Sequence, residues 1–349
     1  MDQAQLSYCN FSLFGKSIQE LSSFCFLQEE IKLLESNDLH SNKHSFKNER
    51  VEYTIETSNL KKYKKYVAII PIKDNLNLLK YTIEKIKFFD VQKYVDFIIV
   101  DDRPSNNLIK EYVIFENLSY IKVMNHKGFN FSILNNVAAY IAEKLGAENI
   151  VLWNSDLWPD SADTIPKLLE KHEVNKCSVT GTKLVYPEST IIKDGNSFFS
   201  LDNISKHFPD KIDNFFNTVQ YGGSNFVYNN QLNVYLPIHS YRFKKPNFEF
   251  VNVDRPELFI TGAFQIIKLK DFIEVGGLNP SLSKNFQDVD LCFKLLDKNK
   301  KIYYFGNNLQ LIHAESISLM KENKYDLQMT SDTLLFSKLH KDFYLKFIH

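Results

Sequence analysis

The sequence predicts an α/β domain built on a Rossmann-like, mostly parallel central sheet flanked by helices, with an extension at its N-terminus. Three observations carry that expectation. Short apolar runs recur from Val67 onward and again from Ile302 to Ile312. Stretches with apolar residues at helical spacing separate the early runs. Each run stops at a Pro, Asp, Asn or His, at the carboxyl strand end where ligands sit in open α/β sheets.

The elements follow in order. Residues 1–60 stand apart as an extension. Ser17 to Leu34 can form an amphipathic helix, and Ser36 to Lys47 is polar enough to read as a linker. Docking without chemistry is the preferred role for the extension. A membrane-surface role is disfavoured because Gln28-Glu29-Glu30 is acidic, the wrong charge for anionic lipid. Val67-Ala68-Ile69-Ile70 is a strand ending at Pro71. Leu78 to Phe89 has one apolar helical face, Phe97 to Val100 is a second strand ending in Asp101-Asp102, and Tyr120 to Met124 is a third. Phe131 to Leu145 reads as a helix stopped by Gly146. Ile150 to Trp153 is the next strand, and Pro159 bars its continuation as a central strand. Such alternation implies right-handed crossovers within one sheet. Residues 195–250 carry Asn, Phe and Tyr without period and read as a loop-rich insertion. The rest of the chain, 61–349, is one large domain: 61–160 form its first half and 161–349 its second.

Composition narrows the function. Lys+Arg and Asp+Glu both number 42, so the formal net charge is zero, which argues against a general nucleic-acid binder. With 29 Phe among 44% hydrophobic residues, a full core can be built. Cys9, Cys25, Cys177 and Cys292 are scattered, so neither a zinc site nor a disulfide framework is indicated, and a reducing cytoplasm is the expected home. No signal peptide and no apolar run long enough to cross a membrane are evident.

Several acids fall where chemistry can happen, and each has a plain structural alternative. Asp156 follows a strand end, fit for a cation or for an Asx-turn. Asp288 opens a helix near Leu291 and Leu295, fit to face a cleft or to cap and complement the dipole. Asp290 is so close that at most one of the two should face a cleft. His313 ends the last apolar strand, where a lone His is more often structural. The first strand runs into Pro71-Ile72-Lys73-Asp74-Asn75 rather than G-x-G-x-x-G, which weighs against a nicotinamide or flavin enzyme. The same lack of glycine weighs against a nucleotidyltransferase, which needs a loop around a triphosphate.

Taken together from about Val67 to Ser318, these pieces resemble the family 2 glycosyltransferases of GT-A fold, in particular the branch of bacterial polysaccharide and O-antigen transferases. The resemblance rests on VAIIPIKDN, on FIIVDDRPS, and on Asn125, Gly128, Phe129 and Asn135 in an N-x-x-G-F-x(5)-N pattern. It continues through Asn154-Ser155-Asp156 in the D-x-D region, Thr261-Gly262-Ala263, Gly276-Gly277-Leu278, Gln287-Asp288-Val289-Asp290-Leu291-Cys292, and the late HAESIS. It implies an inverting transfer of a sugar, hexosyl or deoxyhexosyl, from a UDP- or dTDP-sugar to a hydroxyl of a glycan or lipid-linked glycan, in the cytoplasm or at the inner membrane face, with peripheral membrane association. It makes 61–160 the nucleotide-sugar half and 161–349 the acceptor half. By the same resemblance Pro71, Asp74, Asp101, Lys127, Gly128, Asn154, Ser155 and Asp156 bind the nucleotide sugar, Gly262 and Gln287 meet acceptor or sugar, and Asp288 is the base. Asp156 and His313 would hold a divalent cation, Mn²⁺ or Mg²⁺. Two departures stand out: Asn154 replaces the first acid of D-x-D, and Gln287 replaces the acid before the base. They motivate the alternative of a non-catalytic sugar-nucleotide or glycan-binding module on the same fold.

Overall fold

The structure is a computed structural model that describes residues 43–47, 52–125, 128–193, 196–199, 215–230, 234–282, 284–314 and 325–340. The expected helix at 17–34, Lys127 and the last four residues of HAESIS, Glu315 to Ser318, lie outside the described residues.

The first half contains β1 (Lys43–Lys47), β2 (Glu52–Ser58), β3 (Tyr66–Ile72), α1 (Leu76–Phe88), β4 (Asp96–Asp102), α2 (Leu108–Phe115), β5 (Ser119–Asn125), α3 (Phe131–Lys144), β6 (Asn149–Trp153) and β7 (Leu157–Pro159). The second half begins with α4 (Thr164–Val174), β8 (Val179–Val185), β9 (Ile191–Lys193), β10 (Asn196–Phe199), β11 (Val219–Tyr221), β12 (Ser224–Asn229) and β13 (Val234–His239). It ends with β14 (Asp254–Pro256), β15 (Phe264–Lys268), α5 (Leu269–Glu274), α6 (Gln287–Asp297), β16 (Ile302–His313) and α7 (Tyr325–Leu339).

The main sheet runs β1-β2-β5-β4-β3-β6-β15-β8-β16-β14. Strands β5, β4, β3 and β6 pair in parallel, and β8 pairs in parallel with β16. Only β15 is inverted between β6 and β8, so the central strands mostly share one direction. The reason is visible in the sequence. Every residue of β3, β4, β6 and β8 is buried, as continuous apolar runs must be when helices cover both faces of a sheet. Burying one Ile or Val of this kind contributes about 1.5–3 kcal/mol.

Helix starts are set by side chains. Asn75 accepts from the Leu78 N–H at 3.2 Å and begins α1, and Asn130 accepts from the Ile133 N–H at 3.0 Å and begins α3. Gly146, at φ +97°, closes α3 in the left-handed conformation that suits glycine.

Two sequence expectations are corrected here. Residues 43–47, read as linker, form β1, and 52–58, placed in the extension, form β2, which pairs antiparallel with β5 from Tyr53↔Asn125 to Ser58↔Tyr120. Period-two alternation in so short a polar stretch gives no signal until β5 supplies a partner edge. The expected loops at 195–250 include the hairpin β12–β13, the hairpin β9–β10, and β11 on the edge of β8. Their aromatic residues are too evenly mixed with polar ones to show a period. Helices α2 and α4 were not anticipated either.

Gly181 in β8 marks a tight approach in the core. A Cβ there would lie 2.1 Å from Ile260 Cγ2 and 3.2 Å from Ile260 Cβ, a β-branched side chain with little freedom to move. Gly181→Ala should therefore destabilise the fold by about 1–3 kcal/mol through overpacking. A urea titration checks this, and an unchanged midpoint would show that Ile260 relaxes freely.

Candidate active site

The site lies at the carboxyl ends of the parallel strands. Strand β6 delivers Trp153 into the tight turn Asn154-Ser155-Asp156, which β7 leaves. The turn is fastened by the Leu157 N–H to the Asn154 carbonyl at 3.2 Å and by the Trp153 indole to the Leu157 carbonyl at 2.8 Å. From α1, the Thr82 hydroxyl donates to the Ser155 carbonyl at 2.5 Å. β7 then pairs antiparallel with β16, with Leu157 opposite His313, and the Ala314 N–H donates to the Asp156 carbonyl at 3.0 Å. Leu157 and His313, 156 positions apart, are thereby made neighbours by one short pairing.

The consequence is a set of donor atoms. His313 Nε2 lies 3.2 Å from Asp156 Oδ1 and 3.3 Å from Asn154 Nδ2. His313 Nδ1 lies 3.4 Å from Gln220 Oε1. In the tautomer that carries its proton on Nδ1, the Nε2 lone pair is on the side of the Asp156 carboxylate. Ligands about 2.1 Å from an octahedral ion sit about 3 Å apart, so this oxygen–nitrogen pair fits a divalent cation. Among the described residues no group of three or more His, Cys, Asp or Glu side chains gathers, so such a cation would complete its shell from ligand oxygens.

Opposite stands the α6 wall. Asp288 is the second residue of α6 and therefore not its N-cap, a position taken by Phe286 in the left-handed region at φ +65°. Asp288 Oδ2 accepts the Gly262 N–H at 2.6 Å and Oδ1 accepts the Val289 N–H at 2.9 Å. Gly262 is needed for this approach, because a Cβ there would lie 3.1 Å from Asp288 Cβ. Burial pushes the Asp288 carboxyl up, against the pull of those two N–H groups. Asp290 turns the other way, to Lys294 at 2.9 Å and His340 at 2.8 Å. Burial works upward on Asp290 as well, but the Lys294 charge and the His340 hydrogen bond hold it below the ordinary value.

Both walls border one cleft of about 360 Å³. Of the residues singled out in the sequence, Pro71, Asn154, Ser155, Asp156, Gly262, Gln287, Asp288 and His313 line it. Asp74 and Asp101 do not. Asp74 accepts the N–H and hydroxyl of Ser105, both at 2.9 Å, and Asp101 is fully buried behind the strand end with Tyr120 OH donating to Oδ2 at 2.9 Å. Asp102 points elsewhere and is paired with Arg103 at 2.8 Å. Gly128, at φ +104°, lies beside Arg103 and outside the cleft lining. Residues the sequence did not flag also line the cleft, among them Lys73, Gln220, His239, Lys284, Asn285 and Phe286. Gln220 and His239 come from the stretch with no readable period. Asn285 and Phe286 had only their adjacency to Gln287-Asp288 as a signal.

Asp101 carries a measurable consequence. Burial raises its carboxyl from 3.8 to about 7, with Asp74 and Asp102 adding to the rise and Tyr120 opposing it. The folded protein therefore holds this proton more tightly than the unfolded chain does. Its contribution is fully present below the unfolded value and is lost as pH rises from about 3.8 through about 7. Asp101→Asn keeps an acceptor for Tyr120 and cannot ionise. It should gain about 2–3 kcal/mol relative to wild type between pH 5 and pH 8. Parallel stability curves for the two proteins over that window would contradict this assignment.

Comparison with known proteins places the architecture. No family model matches the chain. An uncharacterised protein y4gI of Sinorhizobium fredii is 27% identical over 231 residues, which is 65% of this chain and 22% of that protein, so the chain spans about a fifth of its relative. Among solved structures, GalNAc-T7 with UDP, GalNAc and Mn²⁺ matches with a TM-score of 0.50 and 12% identity over 72% of this chain and 44% of its own. A mannosyltransferase of Pyrobaculum calidifontis in complex with GDP-Man and Mn²⁺ matches with a TM-score of 0.47 and 10% identity, over 97% of this chain and 76% of its own. At these identities the likeness speaks to the fold. The sheet order, the strand-end cleft and this match together give the chain a GT-A-type glycosyltransferase fold.

Proposed function

We propose that the chain is an inverting glycosyltransferase that moves a hexosyl or deoxyhexosyl unit from a UDP- or dTDP-sugar to a hydroxyl of a glycan or lipid-linked glycan, in bacterial surface polysaccharide synthesis. The observation that carries this reading is the meeting of two chemistries in one cleft: the Asp156–His313 pair, 3.2 Å apart, and the carboxylate of Asp288. The solved neighbour with UDP, GalNAc and Mn²⁺ supports a nucleotide-sugar donor and a divalent ion. No helix among the described residues is long and apolar enough to cross a membrane.

The residues divide the work. Asp156 and His313 would hold the cation, with Mn²⁺ favoured over Mg²⁺ because one donor is an imidazole nitrogen. Bound there, a divalent ion neutralises charge on the departing diphosphate as a Lewis acid. Asn154 presents a neutral carboxamide to the same place, and Lys73 on the cleft wall adds a positive charge for phosphate oxygens. Pro71 and the strand end beside it border the base site; Lys127 and Gly128 are assigned to the donor by the sequence resemblance alone. Asp74 and Asp101 lie outside the cleft lining; the oxygen Asp101 could offer a base is Oδ1, which is buried and has no hydrogen-bond partner among the described residues, whereas Oδ2 accepts from Tyr120.

Asp288 takes the proton from the attacking hydroxyl. Its raised affinity for a proton makes it a stronger base than an ordinary carboxylate, and the Gly262 and Val289 N–H groups fix its orientation. Gln287, buried beside it, cannot share its titration and so leaves Asp288 as a single carboxyl rather than a coupled pair. One in-line displacement at the anomeric carbon inverts its configuration.

Asp288→Asn keeps the volume and the Gly262 contact but cannot accept the proton, so transfer should fall by roughly 10²–10⁴ while nucleotide affinity stays near wild type. Wild-type transfer by this variant would remove the proposed base. Asp156→Ala should abolish the Mn²⁺ requirement together with activity, and His313→Ala should raise the Mn²⁺ concentration needed for UDP binding by calorimetry. Unchanged UDP binding and transfer in excess chelator would sink the metal assignment.

A further inference from the structure

We propose that the carboxy-terminal helix α7 is the positioning element of the acceptor side of the cleft. Asp332, Phe336 and His340 grip residues 284–290 at three points and hold Asp288 in its working orientation. The word acceptor rests on the transferase reading above; the grip rests on geometry alone.

The first point is Asp332. Its carboxylate is buried, and Oδ2 accepts the backbone N–H of Lys284 at 2.9 Å and of Asn285 at 3.1 Å. These amides precede α6 and have no helical acceptor of their own. A buried carboxylate is costly unless such donors satisfy it, so the pairing fixes both partners. The second point is Phe336, which is fully buried and stacks on Phe286 with ring centroids 5.0 Å apart and planes 29° apart. Phe286 is the residue held in the left-handed region, a conformation that persists for a bulky side chain only when its surroundings impose it. The third is His340, whose Nε2 lies 2.8 Å from Asp290 Oδ1. The Asp290 carboxylate is thereby turned away from the cleft, and its helix is tied to the end of α7.

The three contacts bracket Asp288 on both sides. Lys284, Asn285, Phe286, Gln287 and Asp288 all line the cleft, whereas the gripping residues on α7 do not. Loss of the grip should therefore alter how the cleft presents Asp288 and Gln287 without touching the Asp156–His313 wall, which is built on β6, β7 and β16. Asp332, Phe336 and His340 are positioning residues in this scheme, not catalytic ones.

The test compares the full chain with Asp332→Ala, Asp332→Asn and Phe336→Leu. Hydrogen–deuterium exchange over 284–290, UDP binding with Mn²⁺ by calorimetry, and transfer kinetics are measured on the same preparations. In Asp332→Ala, exchange at the Lys284 and Asn285 amides should rise at least about tenfold, the change expected when a charge-assisted hydrogen bond is lost. UDP affinity should stay within about twofold, while kcat/KM for the acceptor falls about tenfold or more. Asp332→Asn keeps an acceptor oxygen and should restore most of both losses. Phe336→Leu keeps a buried apolar side chain and should loosen 284–290 even if Asp332→Ala does not fold. Unchanged exchange across 284–290 in the folded variants would overturn the proposal, as would UDP affinity falling in step with transfer. A wild type that binds neither UDP nor dTDP would instead remove the transferase reading, and the exchange readout would still decide the grip.

Discussion

The site depends on one short strand pairing. Strand β7 has three residues, yet its antiparallel register with β16 sets Leu157 against His313 and so places an imidazole beside the Asp156 carboxylate. That register is fixed from several directions. β16 is anchored in parallel to β8 over its length, with an irregularity between Phe305 and Gln310 that lets its two halves take different partners. Gly306 sits at that irregularity, where a Cβ would lie 2.2 Å from the Val251 carbonyl oxygen. The first half of β16 pairs with β14, and the second half is free to reach β7. A slip of one residue would send His313 to the opposite face of the sheet, because side chains alternate.

The two walls of the cleft are built on different physical terms. The Asp156 wall is a turn held by an indole, a hydroxyl and backbone amides, with the polar side chains of Asn154, Asp156 and His313 gathered at one corner of the cleft. The α6 wall stores cost. It contains a carboxyl whose ionised form burial disfavours, a phenylalanine in a left-handed conformation, and Gln287, whose buried Nε2 has no hydrogen-bond partner among the described residues. A strained non-glycine conformation costs on the order of 1–3 kcal/mol, and a buried unsatisfied amide costs about as much. Such costs gather where a surface is shaped for chemistry and not for stability. The large core around β3, β4, β6 and β8 offsets them.

Between the walls lies a division by sequence as well as by space. The Asp156 wall comes from β3, β6 and β16, elements of the parallel sheet. The other wall comes from the segment 259–263 and from residues 284–289; side chains of α7 hold the latter, and side chains at the start of α3 hold the loop before it. From α3, Asn136 exchanges hydrogen bonds with Leu278 at 2.8 and 2.9 Å, Ser132 donates to the Asn279 carbonyl at 2.9 Å, and Asn130 donates to the Pro280 carbonyl at 2.8 Å. The loop leading to Asp288 is therefore polar-bonded along its length, which gives an otherwise irregular stretch a defined path.

By itself the sequence determined the alternating α/β plan, because buried parallel strands are written as unbroken apolar runs and end where their composition changes. It also determined that Asp156, Asp288 and His313 deserved comparison, since each follows or opens a regular element. It could not decide between a turn residue and a ligand at Asp156, or between a helix cap and a base at Asp288, because those choices depend on what lies opposite. The β7–β16 register brought His313 to Asp156. The start of α6 placed Asp288 inside the helix and on the cleft, with its carboxylate on the Gly262 N–H. The sequence likewise gave no access to β1 and β2, to Gln220 behind His313, or to Asp332 beneath the Asp288 loop. Each of these acts through a partner distant along the chain, and local periodicity carries no record of such a partner. Asp101 shows the converse. Its position at a strand end was legible, but full burial against Tyr120 is a property of packing, and packing put it behind the cleft rather than in it.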